Sequence, residues 1–425
     1  MKPIGSTLAA SQTRRLRLPV VLQERDFRRF WAGETVSVLG DQITLIALPL
    51  VGVLELHASA AQMGFLGAAG LAPNLLFSLH AGAWVDRRGG RRQTMIATAV
   101  GRAALLATIP VAYWLGALSL TQLYIVAFFA GTLSVLFNVS YSTLFVSLVP
   151  RERYVEAGSL LHGSRAFSFM AGTSLGGALV QALSAPVALA ADAISFVVSA
   201  LTLSSISPAE PPTEPAAKGH VRSGIRYIGD SAIVLPSLLA TATINFFNFV
   251  FWAIFILYAT RELGVRPGTL GLVLGAASIG GLSGAVMAGR IGRRIGVGPA
   301  FALGSLLFPA PLLLVPLARG PYWLVLGCLF LAEFGSGFGV MVLDINIQAI
   351  RSALVPGRLL ARVSGAYQVV NYGVRPIGAL AGGLLGAWIG LRTTLWIGAL
   401  GATAGVLWLL PSPVMRLREL PEADA

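Results

Sequence analysis

Long apolar runs return twelve times along this chain of 425 residues, and that recurrence leaves few folds open to it. A helix needs roughly 20 mostly apolar residues to cross a bilayer. Runs of that kind lie at about 30–54, 60–85, 94–116, 119–147, 158–182, 186–207, 235–259, 268–289, 298–318, 322–349, 362–388 and 391–410. Hydrophobic residues make up 55% of the chain and charged ones only 12%, too little polar surface to clothe a water-soluble particle. The 49 glycines suit closely packed membrane helices, and Pro73, Pro309 and Pro376 suit kinks within them. The expected fold class is all-α integral membrane, with twelve transmembrane helices in two pseudo-symmetric six-helix bundles.

The two halves echo each other. Residues 148–177, LVPRERYVEAGSLLHGSRAFSFMAGTSLGG, align without a gap to residues 354–383, LVPGRLLARVSGAYQVVNYGVRPIGALAGG; Leu-Val-Pro, one Gly and the final Gly-Gly coincide. Between the halves, the Pro-rich polar stretch 207–220 cannot form a packed core. The expected organisation is a first bundle over 1–207, a linker over 208–232 and a second bundle over 233–425. An amphipathic stretch with Arg222, Arg226 and Tyr227 is expected to lie along the membrane surface.

Charge sets the orientation. If the N-terminus is inside, the inner loops hold Arg87, Arg88, Arg91, Arg92, Arg151, Arg153, Lys218, Arg222, Arg226, Arg290, Arg293, Arg294, Arg351, Arg358 and Arg362. The outer loops hold only Arg261, Arg266, Arg319 and Arg392, so both termini are expected in the cytoplasm. A basic lead-in (Arg14, Arg15, Arg17, Arg25, Arg28, Arg29) precedes the first run, with no sign of a cleaved signal peptide. The net charge of +13 is spread between apolar runs rather than gathered on a soluble face, which excludes a nucleic-acid partner. The single Cys328 rules out a disulfide framework.

The loop after the second run reads Gly82-Ala-Trp-Val-Asp86-Arg87-Arg88-Gly89-Gly90-Arg91-Arg92, echoed by GRIGRRI at 289–295. Here the chain resembles the major facilitator superfamily, whose hallmark in this loop is G-x-x-x-D-R-x-G-R-R. Through FRRFWAGETVSVLGDQITLIALPL (27–50), DAISF (192–196) and the two LVP segments, it is similar to the drug-efflux branch that includes macrolide exporters and the enterobactin exporter. The resemblance implies a cytoplasmic latch formed by Gly82, Asp86, Arg87, Gly89, Arg91 and Arg92. Gly82 would let two helices approach, Gly89 would permit a tight turn, and Asp86 would pair with an Arg or a helix N-terminus in one access state only. In the second copy Gly289 stands where Asp86 does, so a symmetrical second latch is not expected.

Ionisable groups inside hydrocarbon are costly and point to function. Asp41 and Glu333 lie near mid-depth, Glu34 and Asp344 nearer the inner face, and Arg102, Arg165 and Arg375 are the deep cations. A proton-driven carrier needs a carboxyl that changes protonation as access switches, and burial disfavours the charged form. Asp41 and Glu333 are the leading candidates, followed by Glu34 and Asp344; the bland alternative is permanent pairing with Arg102, Arg165 or Arg375. Asp192 reads as a helix cap near the outer face. Asn245 and Asn248 in an aromatic seventh run, with Asn138, Tyr141, Gln368 and Asn371, are candidates to line a solute cavity. His162 reads as structural at a membrane boundary. No His–Cys spacing suggests a metal site, no nucleotide-binding P-loop is present, and nothing calls for a cofactor or an enzyme activity.

The function expected is secondary active transport. The family resemblance supplies its direction and substrate class: export of hydrophobic or amphipathic small molecules, coupled to protons, by a monomer in a bacterial plasma or inner membrane. Uptake symport by the same fold, lipid translocation along a lateral groove and a transport-inactive membrane sensor are the alternatives.

Overall fold

The computed structural model describes residues 19–208 and 221–419, with the backbone alone at 79, 83, 86, 221–223, 358 and 361. Arg14, Arg15, Arg17, Lys218 and most of the interdomain stretch lie outside the described residues, as do the side chains of Asp86, Arg222 and Arg358. The helices are α1 (Arg25–Leu50), α2 (Ala60–Arg88), α3 (Arg91–Trp114), α4 (Leu120–Leu148), α5 (Tyr154–Ala182), α6 (Ala185–Ser204) and α7 (Val221–Asp230). The second set is α8 (Val234–Arg261), α9 (Pro267–Ile295), α10 (Val297–Leu307), α11 (Leu314–Leu317), α12 (Tyr322–Leu354), α13 (Gly357–Ile389) and α14 (Leu391–Ala404). Among the described residues there is no strand, and nine helical segments are long and apolar enough to cross a membrane. The other three predicted runs fall on α5 and α13, which carry more polar residues, and on α14 with the 3-10 turn Gly405–Trp408.

Local chemistry sets the breaks. The residue before a proline is pushed out of the helical region. Val149 and Val355 are accordingly extended at the two Leu-Val-Pro steps, ending α4 and α12. Ser59 and Gln62 form a capping box at the start of α2, and Ser119 and Ser184 cap α4 and α6. Gly89 and Gly90, both with φ of 62°, make the tight turn from α2 to α3. The ninth run is not one helix. It divides at Pro309 and Pro311, whose missing amide hydrogens end α10 and leave a 3-10 turn before α11. Pro73 and Pro376, by contrast, lie inside the continuous α2 and α13.

The packing repeats. α1 lies against α5 and α6, as α8 lies against α13 and α14; α2 pairs with α4 as α9 pairs with α12; α3 pairs with α4 as α10 pairs with α12. The two bundles meet through α2 with α13 and α5 with α9. α7 lies against α13: Gly224 faces the Arg362 backbone, and the Tyr227 hydroxyl donates to the Leu354 carbonyl at the end of α12 at 2.9 Å.

The contacts between bundles sit at the end of the molecule away from the termini. A Cβ on Gly177 of α5 would stand 2.9 Å from the Gly271 Cα of α9, and one on Gly383 of α13 would stand 2.6 Å from the Gly64 Cα of α2. Both seams are therefore backbone on backbone, the close approach that small residues permit between membrane helices. They arise from the Gly-Gly pairs that end the two sequence repeats. In each pair the first glycine packs inside its own bundle, Gly176 on Ile43 and Gly382 on Val250, and the second packs across. The Gly268 amide also donates across this seam to the Gln181 side chain at 2.9 Å.

At the terminal end the same four helices stand apart. Among the described residues, a Cβ on Gly82, Gly158, Gly163, Gly289, Gly357 or Gly365 would meet no other helix within 4 Å. The close approach expected at Gly82 is not made in this conformation, where the faces it would join are separated. The apolar core follows suit. One cluster joins both bundles at the sealed end, including Leu50, Leu106, Phe251, Tyr258 and Leu270. Toward the termini it splits into one cluster around Phe27, Met95 and Phe137 and another around Ile244, Phe301 and Ile347.

Candidate functional site

Below the sealed end a cavity of about 670 Å³ opens between the bundles. Leu45, Leu48, Met63, Leu66, Leu106, Phe169 and Phe196 line it from the first bundle, and Phe249, Trp252, Ile256, Leu274, Phe308 and Val340 from the second. Asp41, Thr44, Arg102, Ser134, Thr173, Asp192, Asn248, Glu333 and Ser336 supply polar side chains. Volume, apolar lining and a few convergent polar groups are those of a site for a drug-sized solute.

Two ion pairs tie α1 to its neighbours in the first bundle. Arg102 on α3, whose side chain is 4% exposed, reaches Asp41 Oδ1 on α1 at 3.5 Å and donates to the Ser134 hydroxyl at 3.2 Å. Its guanidinium is held between the rings of Phe196, 4.0 Å away, and Phe137, 4.7 Å away. The Asp41 side chain is 43% exposed toward the cavity. Arg165 of α5 donates to Glu34 of α1 at 3.3 Å and lies over the Tyr141 ring. These pairs wall a second, smaller chamber of about 310 Å³, lined by Glu34, Ser37, Asp41, Arg102, Ser134, Phe137, Asn138 and Arg165. It shares Asp41, Arg102 and Ser134 with the main cavity.

Asp192 corrects the capping assignment. Ser184 caps α6, and Asp192 lies inside that helix, fully buried, accepting hydrogen bonds from Thr44 on α1 and from Ser195 at 2.8 Å. It reaches the cavity because Gly40 has no side chain to block it; a Cβ there would collide with the Asp192 carboxyl. The signals in the sequence were Gly40 beside Asp41 and the three-residue spacing from Asp192 to Ser195, which places both on one helix face.

The second bundle is organised differently. Glu333 on α12 is 2% exposed, forms no ion pair among the described residues, and its Oε1 makes no hydrogen bond. Asp344 is exposed on the same helix and is likewise unpaired. Arg375 is held by an amide rather than a carboxylate, donating to Asn245 at 3.1 Å and lying over Tyr372 and Phe249. Asn245 donates in turn to Asn371 at 3.0 Å, and Asn371 to the Tyr367 carbonyl at 3.0 Å. In this conformation ion pairs therefore engage Asp41 and Glu34 but, among the described residues, neither Glu333 nor Asp344.

Of the proposed solute contacts, Asn248 lines the main cavity and Asn138 the smaller chamber. The other four line neither. Asn245 and Asn371 are taken up in the Arg375 network, Tyr141 is packed between Phe30 and Phe137 beneath Arg165, and Gln368 is exposed outside both cavities.

In the latch loop, Arg92 donates to the Leu203 and Ser204 carbonyls at 2.9 and 2.6 Å, and Arg29 to the Ser205 carbonyl at 2.5 Å. Together they cap the end of α6 within one bundle, where a cation also meets the negative end of the helix dipole. Arg92→Ala should therefore lower the melting temperature, since charged hydrogen bonds of this kind are worth about 1.5–3 kcal/mol and less where exposed. Transport per folded molecule should fall less than twofold. A large transport loss at an unchanged melting temperature would show that Arg92 works in the latch instead.

The family model described as transmembrane secretion effector matches residues 20–425. The chain is 26% identical over 420 residues to the uncharacterized MFS-type transporter YfiS of Bacillus subtilis, covering 94% of this chain and 96% of that protein. It is 26% identical over 412 residues to the multidrug efflux pump Tap of Mycolicibacterium fortuitum, covering 91% and 94%. Among solved structures, the nucleoside transporter NupG superposes with a TM-score of 0.73 at 11% identity, over 91% of this chain and 99% of that one. A bacterial homologue of the iron transporter ferroportin, in an inward-facing state, gives 0.71 at 15% identity, over 91% and 98%. At such identities the solved structures speak for the fold alone.

Proposed function

The chain belongs to the transmembrane secretion effector family of major facilitator transporters, and from that premise we propose that it exports hydrophobic or amphipathic small molecules in exchange for protons. It is a multi-pass membrane transporter, not an enzyme. The observation that carries the proposal is the apolar cavity walled by both bundles, with the Asp41–Arg102 pair on its surface. The multidrug efflux pump among its relatives supports the outward direction.

In this reading residues 1–207 and 233–425 rock against each other as two units joined by 208–232, about a site near mid-depth. The excess of Arg in the loops at the terminal end supports a cytoplasmic place for that end. The sealed end then faces outward and the conformation is open inward, ready to take solute from the cytoplasm or inner leaflet. The chain works as a monomer. Asp41 is the coupling carboxyl. It faces the cavity, its charge is balanced by a cation that keeps its place between two rings, and Asp192 stands behind it through Thr44 on the next turn of α1. A proton arriving from outside would release Asp41 from Arg102, and its departure inside would restore the pair.

Inverted vesicles carrying the wild-type protein, energised to an acidic interior, test this. Adding compounds from a panel of lipophilic dyes and drugs should draw protons out of the lumen as the compounds are carried in. Folded protein that moves no proton with any of them would overturn the export reading in favour of uptake or lipid transport.

A further inference from the structure

In the first bundle both deep cations meet a carboxylate: Arg102 has Asp41 and Arg165 has Glu34. In the second, among the described residues, Arg375 meets none. Its Nε donates to the neutral Asn245 side chain at 3.1 Å, and its guanidinium lies over the rings of Tyr372, at 4.3 Å, and Phe249, at 5.3 Å. The two Nη groups make no hydrogen bond among the described residues. Unlike the unbonded nitrogens of Arg102, they are not shut away from solvent. A full charge this deep is costly without a counter-charge, and this one is clamped with its forked end open. The fork stands at the inner lip of the main cavity. Ala379, one turn further along α13, lines that cavity, and so does Phe249 beneath the guanidinium. A long side chain on a helix leans toward the helix N-terminus, which for α13 is the open, terminal end.

We propose that Arg375 receives the oxyanion of an amphipathic solute, a carboxylate or phosphate, whose apolar body lies in the cavity against Phe249, Trp252 and Phe169. Two oxygens of one anion match the Nη fork, and Asn245 with the two rings holds the fork in place before the solute arrives. The acids fix which way the solute lies. Asp41, Asp192 and Glu333 line the cavity itself, where an anion would meet like charge in a medium of low dielectric. The head group is therefore kept at the lip and the apolar part points toward the sealed end. At the lip, Asp344 of α12 is close enough to act on the Arg375 charge, yet forms no ion pair with it. It weakens the site without filling it.

This assignment rests on the cavity being the solute site, as the export reading has it, but not on export or proton coupling, so equilibrium binding tests it separately. Dansylundecanoic acid and its methyl ester share one apolar body and differ in the anion, which is ionised at about pH 8. In phosphatidylcholine nanodiscs, with empty discs subtracted, the wild-type protein should bind the acid roughly 10-fold more tightly than the ester, about 1.4 kcal/mol. Arg375→Gln removes an unbalanced charge and keeps a donor toward Asn245, so it should fold. It should weaken the acid about 10-fold and leave the ester unchanged. Asp344→Asn should tighten the acid about threefold. Native mass spectra then separate two sources of the oxyanion. Phosphatidylglycerol retained by the wild type and lost from Arg375→Gln would assign the site to a lipid head group; with the acid preference in hand, none on either would assign it to a free amphiphile. Equal binding of acid and ester by the wild type, or binding of neither, would overturn the proposal without recourse to any variant. An undiminished preference in folded Arg375→Gln would do the same. A preference that depends on Arg375, in a protein that moves no protons, would sink the export reading and leave this one standing.

Discussion

Transport stops when a Gly67→Cys/Ala379→Cys pair is oxidised in a Cys328→Ser background, and returns on reduction. Gly67 of α2 and Ala379 of α13 face each other across the bundles in the sealed half of the molecule. A Cβ on Gly67 would stand 3.5 Å from that of Ala379, within the roughly 3.5–4.5 Å span of a disulfide. Neither α2 nor α13 can part there once the bond forms, so the cavity keeps its opening toward the termini and never exposes its contents to the other side. The expected loss is essentially complete in the oxidised protein, with each single-cysteine variant close to the parental rate. Solute binding should survive, because the bond holds the conformation in which the cavity is already open. Gel shift, binding and vesicle transport before and after dithiothreitol measure all three. A cross-linked protein that still transports would mean that the α2–α13 seam does not open.

Asp41→Asn abolishes proton movement driven by solute and leaves solute binding in place. The amide keeps the size of the carboxyl and a hydrogen-bonding oxygen near Arg102, but it cannot cycle a proton. Breaking a fully buried ion pair costs about 3–5 kcal/mol. The cost here is smaller, because Asp41 is 43% exposed and Arg102 keeps Ser134 and two rings. The variant should fold, bind within about threefold of wild type and exchange solute down its gradient, while solute-linked proton flux in inverted vesicles drops to baseline. If the flux persists, coupling passes to Asp192, whose carboxyl lies behind Asp41, or to Glu333 across the cavity.

Much of this architecture is legible in one dimension because a bilayer demands a fixed length of apolar chain. The runs at 119–147 and 235–259, for instance, fall within two residues of α4 and α8. The Leu-Val-Pro steps mark two real helix ends because proline constrains its predecessor wherever it occurs. The Gly-Gly coincidence between the repeats was visible too, and it lands on the two seams. What escapes the sequence is register between helices. Asp192 looked like a cap because depth was counted from the ends of an apolar run. Its partners Thr44 and Ser195 become apparent only once α1 and α6 are laid side by side across Gly40. Asn245 and Asn248 are equivalent on paper, yet Arg375 claims the first and leaves the second to the cavity. Counting Arg102, Arg165 and Arg375 as interchangeable counter-ions missed that only the first two meet a carboxylate.

The doubled Gly-Gly step separates what must stay alike in the two halves from what need not. A seam made by backbone meeting backbone places no demand on the side chains of either cavity wall, so the moving parts can remain twofold while the chemistry diverges. Here the divergence is plain: paired acids on one wall, solitary acceptors on the other. Either cavity wall can then change by substitutions that leave both seams as they are.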